Sequence, residues 1–251
     1  MKVIRDVPYA RYEETKLNIY LPESDTFSVL VYFHGGGLRM GDKETGEFFV
    51  KELVDKNIAL VSANYRMYPS AVYPEFIRDA AAAVAWVKNH IGEYGTCEDI
   101  YVGGSSAGGY LSMMLCFDKK YLAPHMIDPT DLAGFIHDAG QPTVHFNVMR
   151  ERGADRRRIA IDEAAPLWHV GAADRYAPML FIVSDKDIKV RYEQTMLMLA
   201  ALKSFEYDPS ILDHKVMHGS HCAYVKKTDE DGGNEFGRII ADFIERKGHC
   251  S

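Results

Sequence analysis

Nowhere in this 251-residue chain do apolar residues run on for the ~20 positions that a membrane-spanning helix needs. The opening MKVIRDVP has no apolar core of the kind a secretion signal carries, so cytoplasmic residence is the expectation. Cysteine is sparse: Cys97, Cys116, Cys222 and Cys250 are scattered without metal-ligand spacing, and reduced thiols are the default. Cations are in deficit, 29 Lys and Arg against 36 Asp and Glu, and the net charge of −7 speaks against nucleic-acid binding and against docking on anionic membranes. The locally basic run Arg150 to Arg158 reads as a solvated helix face. Internal repeats, low-complexity tracts and long linkers are also missing, which leaves one domain over residues 1–251. No G-x-G-x-x-G loop, Walker lysine or His-Glu-x-x-His motif is present, and neither a metal nor an organic cofactor is expected.

What the chain does have is DIYVGGSSAGGYLSMML, in which Gly104-Ser105-Ser106-Ala107-Gly108 joins a short β-prone run to a segment of good helix formers. A serine held in a strained strand-to-helix turn needs side-chain-free neighbours two positions away on either side. Ser106 has Gly104 and Gly108 there, whereas Ser105 would have Gly103 and Ala107, so Ser106 is the expected nucleophile. Chance alone supplies roughly 0.1 such matches in a chain of this length, so the order of strand, glycine turn and helix has to carry the assignment. A second motif, SVLVYFHGGG over residues 28–37, runs an apolar strand into three glycines. Consecutive glycines cost backbone entropy, and here their amides can approach an oxyanion closely, which is worth about 2.7–4 kcal/mol per donor.

With these motifs the chain resembles the α/β-hydrolases, in particular HGGG-type serine esterases of the hormone-sensitive-lipase-like and small carbohydrate or feruloyl esterase groups. SANYRMYP (62–69) and YPEFIRDA (73–80) add to the likeness, which extends over roughly residues 28–245. The resemblance implies an oxyanion hole from the amides of Gly36, Gly37 and Ala107, with His34 bracing the loop. Asn64 stands where relatives commonly carry an acidic residue, which leaves the support of that loop open.

The resemblance also sets the chain order serine, acid, histidine. The apolar run Pro178 to Val183 reads as a buried parallel strand and ends in Ser184-Asp185-Lys186-Asp187. The family's small residue three positions before the acid favours Asp187 over Asp185; Asp138, after the strand at 133–139, is a third candidate whose simpler reading is a turn. Among the histidines after Asp187, His221 has the glycine two residues earlier that the family's final histidine loop carries, and His218 is its alternative. His214 and His249 read as ordinary polar groups, and Cys222, beside His221, as local packing.

Strands and helices alternate, so the expected architecture is a mostly parallel sheet covered on both faces, with an antiparallel edge pair at residues 3–10 and 16–21. Helices are expected near 44–56, 75–91, 107–117, 191–204 and 234–247. Residues 118–132 and 141–175 break the alternation and are expected to form a small lid over the serine, with Trp168 tying it to the core. The implied activity is hydrolysis of short-chain or aromatic acyl esters, such as acetyl or feruloyl esters of carbohydrates, on a small-molecule or oligosaccharide substrate. An amidase or arylformamidase with the same triad is the alternative, and a non-catalytic ligand binder a more distant one. Apolar lid surface would equally serve a contact in a homo-oligomer.

Overall fold

A computed structural model describes residues 1–248; the expectations placed on His249 and Cys250 lie outside the described residues. In chain order the elements are β1 (Lys2–Pro8), β2 (Lys16–Leu21), β3 (Thr26–Phe33), α1 (Val50–Val54), β4 (Ile58–Ala63), α2 (Glu75–His90) and β5 (Thr96–Ser105). They continue with α3 (Ala107–Phe117), β6 (Gly134–Asp138), α4 (Phe146–Glu151), β7 (Met179–Lys186), α5 (Arg191–Ser204), β8 (Leu212–Ser220) and α6 (Glu235–Lys247). The strands make one sheet in the order β1-β2-β4-β3-β5-β6-β7-β8. From β4 to β8 neighbouring strands are parallel, and β2 lies antiparallel to both of its neighbours.

Period-two alternation explains the layers. On β3, Val29, Val31 and Phe33 enter the core shared with α2, α3 and α5, while Leu30 and Tyr32 enter the one shared with α1 and α6. Both faces of the central strands are buried, so these strands read as unbroken apolar runs. Helix α3 is buried along its whole length, as expected of a helix that is apolar all round. Among the described residues, no helix is long and apolar enough to cross a membrane.

The helix expected over 44–56 is replaced by a 3₁₀ turn at Lys43–Phe48 and the short α1. Phe49 leaves the helical region, at φ −133° and ψ 4°, and its ring packs edge-on against Tyr32 and Phe236. The strand before the elbow is longer than the β-prone run suggested, because its start pairs with Thr26 and Phe27 of β3. Residues 118–132 form successive 3₁₀ turns, and 141–175 hold α4 and a further turn at Pro166–His169. Trp168 does not tie this region to the core: it is 60% exposed.

The end of β3 and the first turn of α3 approach too closely for side chains. A Cβ at Gly108 would lie 1.9 Å from the Phe33 carbonyl oxygen, and one at Gly104 would lie 2.7 Å from the same atom. Polar groups fill the remaining space at this end of the sheet. Tyr32 donates its hydroxyl to Ser105 at 2.8 Å, and the buried Asp138 accepts from Tyr224 and, at 3.8 Å, from the Cys222 thiol. Arg191, also buried, donates to the Ala139 carbonyl and to Gln141. Further along, Arg66 and Asp79 make a buried bidentate pair, with Arg66 stacked 3.6 Å above the Tyr12 ring.

Gly108→Ala sets a methyl against backbone that cannot yield, and it is expected to lower unfolding free energy by about 3 kcal/mol or more in urea titration; a loss under about 1 kcal/mol would contradict the packing. Asp138 provides a pH test. Burial pushes its carboxyl up to about 6, against donors Ser105 and Tyr224 that pull it down. A folded-state value above the unfolded one means that stability from this group is present below about pH 4 and lost as pH rises through about 6. Asp138→Asn removes that loss, so its melting temperature relative to wild type should climb between these limits. A gap that stays constant with pH would show that the carboxyl is not destabilised by burial.

Candidate active site

Ser106 sits between β5 and α3 at φ 54° and ψ −109°, a conformation that L-residues adopt only where surroundings impose it. Its amide donates to the Asp138 carbonyl at 2.7 Å, which ties the turn to the end of β6. The side chain faces the His221 loop after β8, with Ser106 Oγ 2.7 Å from His221 Nε2. On the other side of the ring, Nδ1 is 2.6 Å from Asp187 Oδ1. Asp187 leaves the end of β7, its side chain fully covered, and accepts the amides of Ile188 at 2.8 Å and Ser184 at 3.3 Å. Burial alone would raise its carboxyl, but the hydrogen bond and charge of His221 and the two amides outweigh this and hold it below the usual range.

Asp185 and His218 pair with each other instead, at 2.6 Å on the surface, where the His218 side chain is 80% exposed. The His-x-x-His spacing therefore sends two rings to two different carboxylates. Asp138 faces Tyr224 and Cys222 rather than a histidine ring. Cys222 is 3.8 Å from His221 Nε2, and burial drives its thiol well above the ordinary value, so it stays protonated.

The glycine loop is shaped by its backbone. Gly36 and Gly37 have φ values of 118° and 63°, and a Cβ at Gly36 would lie 1.8 Å from the Met40 carbonyl oxygen. The Gly36 carbonyl accepts from the amides of Arg39 and Met40, while among the described residues no turn, loop or side-chain hydrogen bond uses the amide of Gly36, Gly37 or Ala107 as donor. His34 is buried beneath the loop. Its ring stacks on Tyr65 at 4.6 Å, and Nδ1 donates to the Gly35 carbonyl at 2.7 Å. Burial lowers its basicity, which keeps the ring neutral. Asn64 accepts the Lys43 amide at 2.7 Å, so an uncharged side chain supports the loop here.

Ser106 and His221 open onto a cavity of about 640 Å³ walled by Met40, Phe146, Ile188 and Val225, with Arg39 and Lys226 also lining it. Of the two stretches expected to form the lid, only Phe146 reaches this cavity; the glycine loop and residues 221–226 supply most of the wall. Arg39, Lys226 and the polar layer around Asp138 were not singled out in the sequence, because no motif marks them. Their position follows from which strand ends lie side by side. Chemically, the arrangement can move a proton from a hydroxyl to an imidazole that is oriented by a covered carboxylate, beside backbone amides that can donate to an anion.

Residues 17–147 match the BD-FAE family. Similar curated proteins include esterase LipI of Mycobacterium tuberculosis, 38% identical over 96 residues that make up 38% of this chain and 30% of that protein. The kynurenine formamidase of Danio rerio is 31% identical over 116 residues, 45% of this chain and 39% of that protein. The matched segments thus span less than half the length of these relatives. Among solved structures, a phosphonate-inhibited esterase B of Lactobacillus rhamnosis superposes with a TM-score of 0.79 at 16% identity, covering 98% of this chain and 86% of the other. Esterase 2 of Thermogutta terrifontis gives a TM-score of 0.74 at 21% identity, covering 98% and 94%. At these identities the likeness bears on architecture, and the architecture is that of the α/β-hydrolases. Since the family match takes in more than half of the chain and includes both the glycine loop and the serine elbow, the protein belongs to the BD-FAE family.

Proposed function

We propose that the protein is a serine carboxylesterase that works through an acyl-enzyme. The observation that carries this reading is the continuous relay from Ser106 through His221 to the covered Asp187, at 2.7 and 2.6 Å, opening on a partly apolar cavity. Asp187 accepts the Nδ1 proton of His221, which leaves Nε2 as the base. As Ser106 Oγ attacks the ester carbonyl, its proton passes to Nε2 and the new oxyanion turns to the amides of Gly36, Gly37 and Ala107. Collapse of the adduct breaks the bond to the leaving oxygen, which takes the proton back from Nε2, and the acyl group stays on Ser106. Water then repeats the sequence and releases the acid. No metal or organic cofactor enters these steps.

Short-chain or aromatic acyl esters are the proposed substrates, with acetyl or feruloyl esters of carbohydrates among them. The wall of Met40, Phe146, Ile188 and Val225 suits an apolar or aromatic acyl group. A solved carbohydrate esterase from gut microbiota shares the fold, with a TM-score of 0.73 over 98% of this chain and 96% of the other at 16% identity. The similarity to a kynurenine formamidase supports a second reading, formamide hydrolysis with the same triad. A matched aryl acetate and aryl formamide separate the two, since the reading preferred here requires the higher kcat/KM on the ester.

Ser106→Ala should abolish both turnover of p-nitrophenyl esters and the mass adduct with a fluorophosphonate, with the circular dichroism spectrum unchanged; retained turnover would sink the assignment. Asp187→Asn should lower kcat on the order of 10⁴-fold by favouring the wrong imidazole tautomer. Asp185→Asn should stay within about threefold of wild type, because its partner His218 lies outside the relay. The opposite ranking in the same assay would transfer the acid's role to Asp185.

A further inference from the structure

We propose that the cognate ester carries a negatively charged substituent, a carboxylate or a phosphate, on its apolar body, and that Arg39 and Lys226 receive it. This rests on the esterase reading and names the substrate class of the same cavity. The chain is acidic, with 36 Asp and Glu against 29 Lys and Arg. Among the described residues that line the cavity there is neither Asp nor Glu, whereas two cations are present. About half of the other basic side chains pair with carboxylates, among them Arg5 with Glu47, Lys43 with Asp6 and Glu44, and Arg66 with Asp79.

Arg39 and Lys226 do not. Among the described residues no carboxylate lies within ion-pair distance of either, and each rests against an aromatic ring, Arg39 Cζ at 6.0 Å from the Tyr68 centroid and Lys226 Nζ at 5.1 Å from that of Phe48. A ring face steadies a cation without neutralising it, so its charge stays available to a ligand. The two residues arrive from different elements, Arg39 from the glycine loop after β3 and Lys226 from the turn that follows His221. The same cavity is also lined by Met40, Phe146, Ile188 and Val225, which favour an apolar body. The long-range field of an acidic protein repels anions, so a preference for a charged ester requires local cations to reverse that field.

The experiment compares kcat/KM for three acetate esters: 4-acetoxyphenylacetate, its uncharged isostere 4-acetoxyphenylacetamide, and 4-acetoxyphenyl phosphate. In wild type at least one anionic ester should exceed the amide about tenfold, mainly through KM, the size expected from two partly exposed ion pairs. The two anionic esters between them tell carboxylate from phosphate. In Arg39→Gln/Lys226→Gln the ratio should fall to unity or below, and in Lys226→Glu it should invert; fluorophosphonate labelling of Ser106 checks that each variant retains its site. Anionic-to-neutral ratios at or below one in wild type, or unmoved in the labelled variants, would overturn the proposal. Hydrolysis of the neutral ester with Ser106 labelling leaves the esterase reading standing in that event. Absence of both hydrolysis and labelling would remove the esterase reading and this proposal with it.

Discussion

The first turn of α3 lies against the end of β3 so closely that the Gly108 position has room only for a hydrogen, with the Phe33 carbonyl oxygen 1.9 Å from where a Cβ would be. This contact brings the helix N-terminus and the glycine loop together, because the loop begins at the residue after Phe33. It also leaves Ser106 no helical or extended conformation, and the resulting turn at φ 54° points the hydroxyl at the β8 loop. A strained backbone persists only where packing over-determines it. Here the determinants are Gly104 and Gly108 below and the hydrogen bond from the Ser106 amide to the Asp138 carbonyl beside it.

The parts of the site that local composition must satisfy were legible in the sequence. Glycines two residues either side of Ser106 are demanded by backbone contact, and the strand before and helix after it follow from apolar runs of different length and propensity. The face-to-face alternation along β3 likewise required no long-range information. The helix at 44–56 failed for a tertiary reason: burying the Phe49 ring between Tyr32 and Phe236 needs a break that helix propensity does not record. Trp168 failed in the other direction, since its size argued for burial but its position after Pro166 leaves it on the surface. The cations of the cavity have no local signature at all, being brought there by loops 187 residues apart in number, Arg39 and Lys226.

The surroundings of the three candidate aspartates separate them in ways that spacing cannot. Asp185 and Asp187 each approach a histidine at 2.6 Å, so pair geometry alone is the same. The difference is solvent. The Asp185 side chain is 38% exposed and so weakly coupled to its partner, while Asp187 is fully covered, with two amides and an imidazole compensating its charge.

Asp138 is buried more deeply than Asp187 and has hydroxyl and thiol donors only, and its carboxyl is pushed up rather than down. Repulsion from Asp187 adds to that rise, so the two carboxylates are driven apart in acidity by one arrangement. Arg191 stands near this pair as a counter-charge: burial lowers its guanidinium to about 10, and Asp187 acts against that fall. Its hydrogen bonds go to the Ala139 carbonyl and Gln141, leaving Asp187 free to spend its acceptor capacity on His221 and the backbone. A direct guanidinium bond to Asp187 would compete for the oxygen that orients the imidazole and would weaken it as an acceptor. Keeping the guanidinium off the Asp187 oxygens retains its electrostatic support while preserving the ring geometry on which the proposed proton transfer from Ser106 depends.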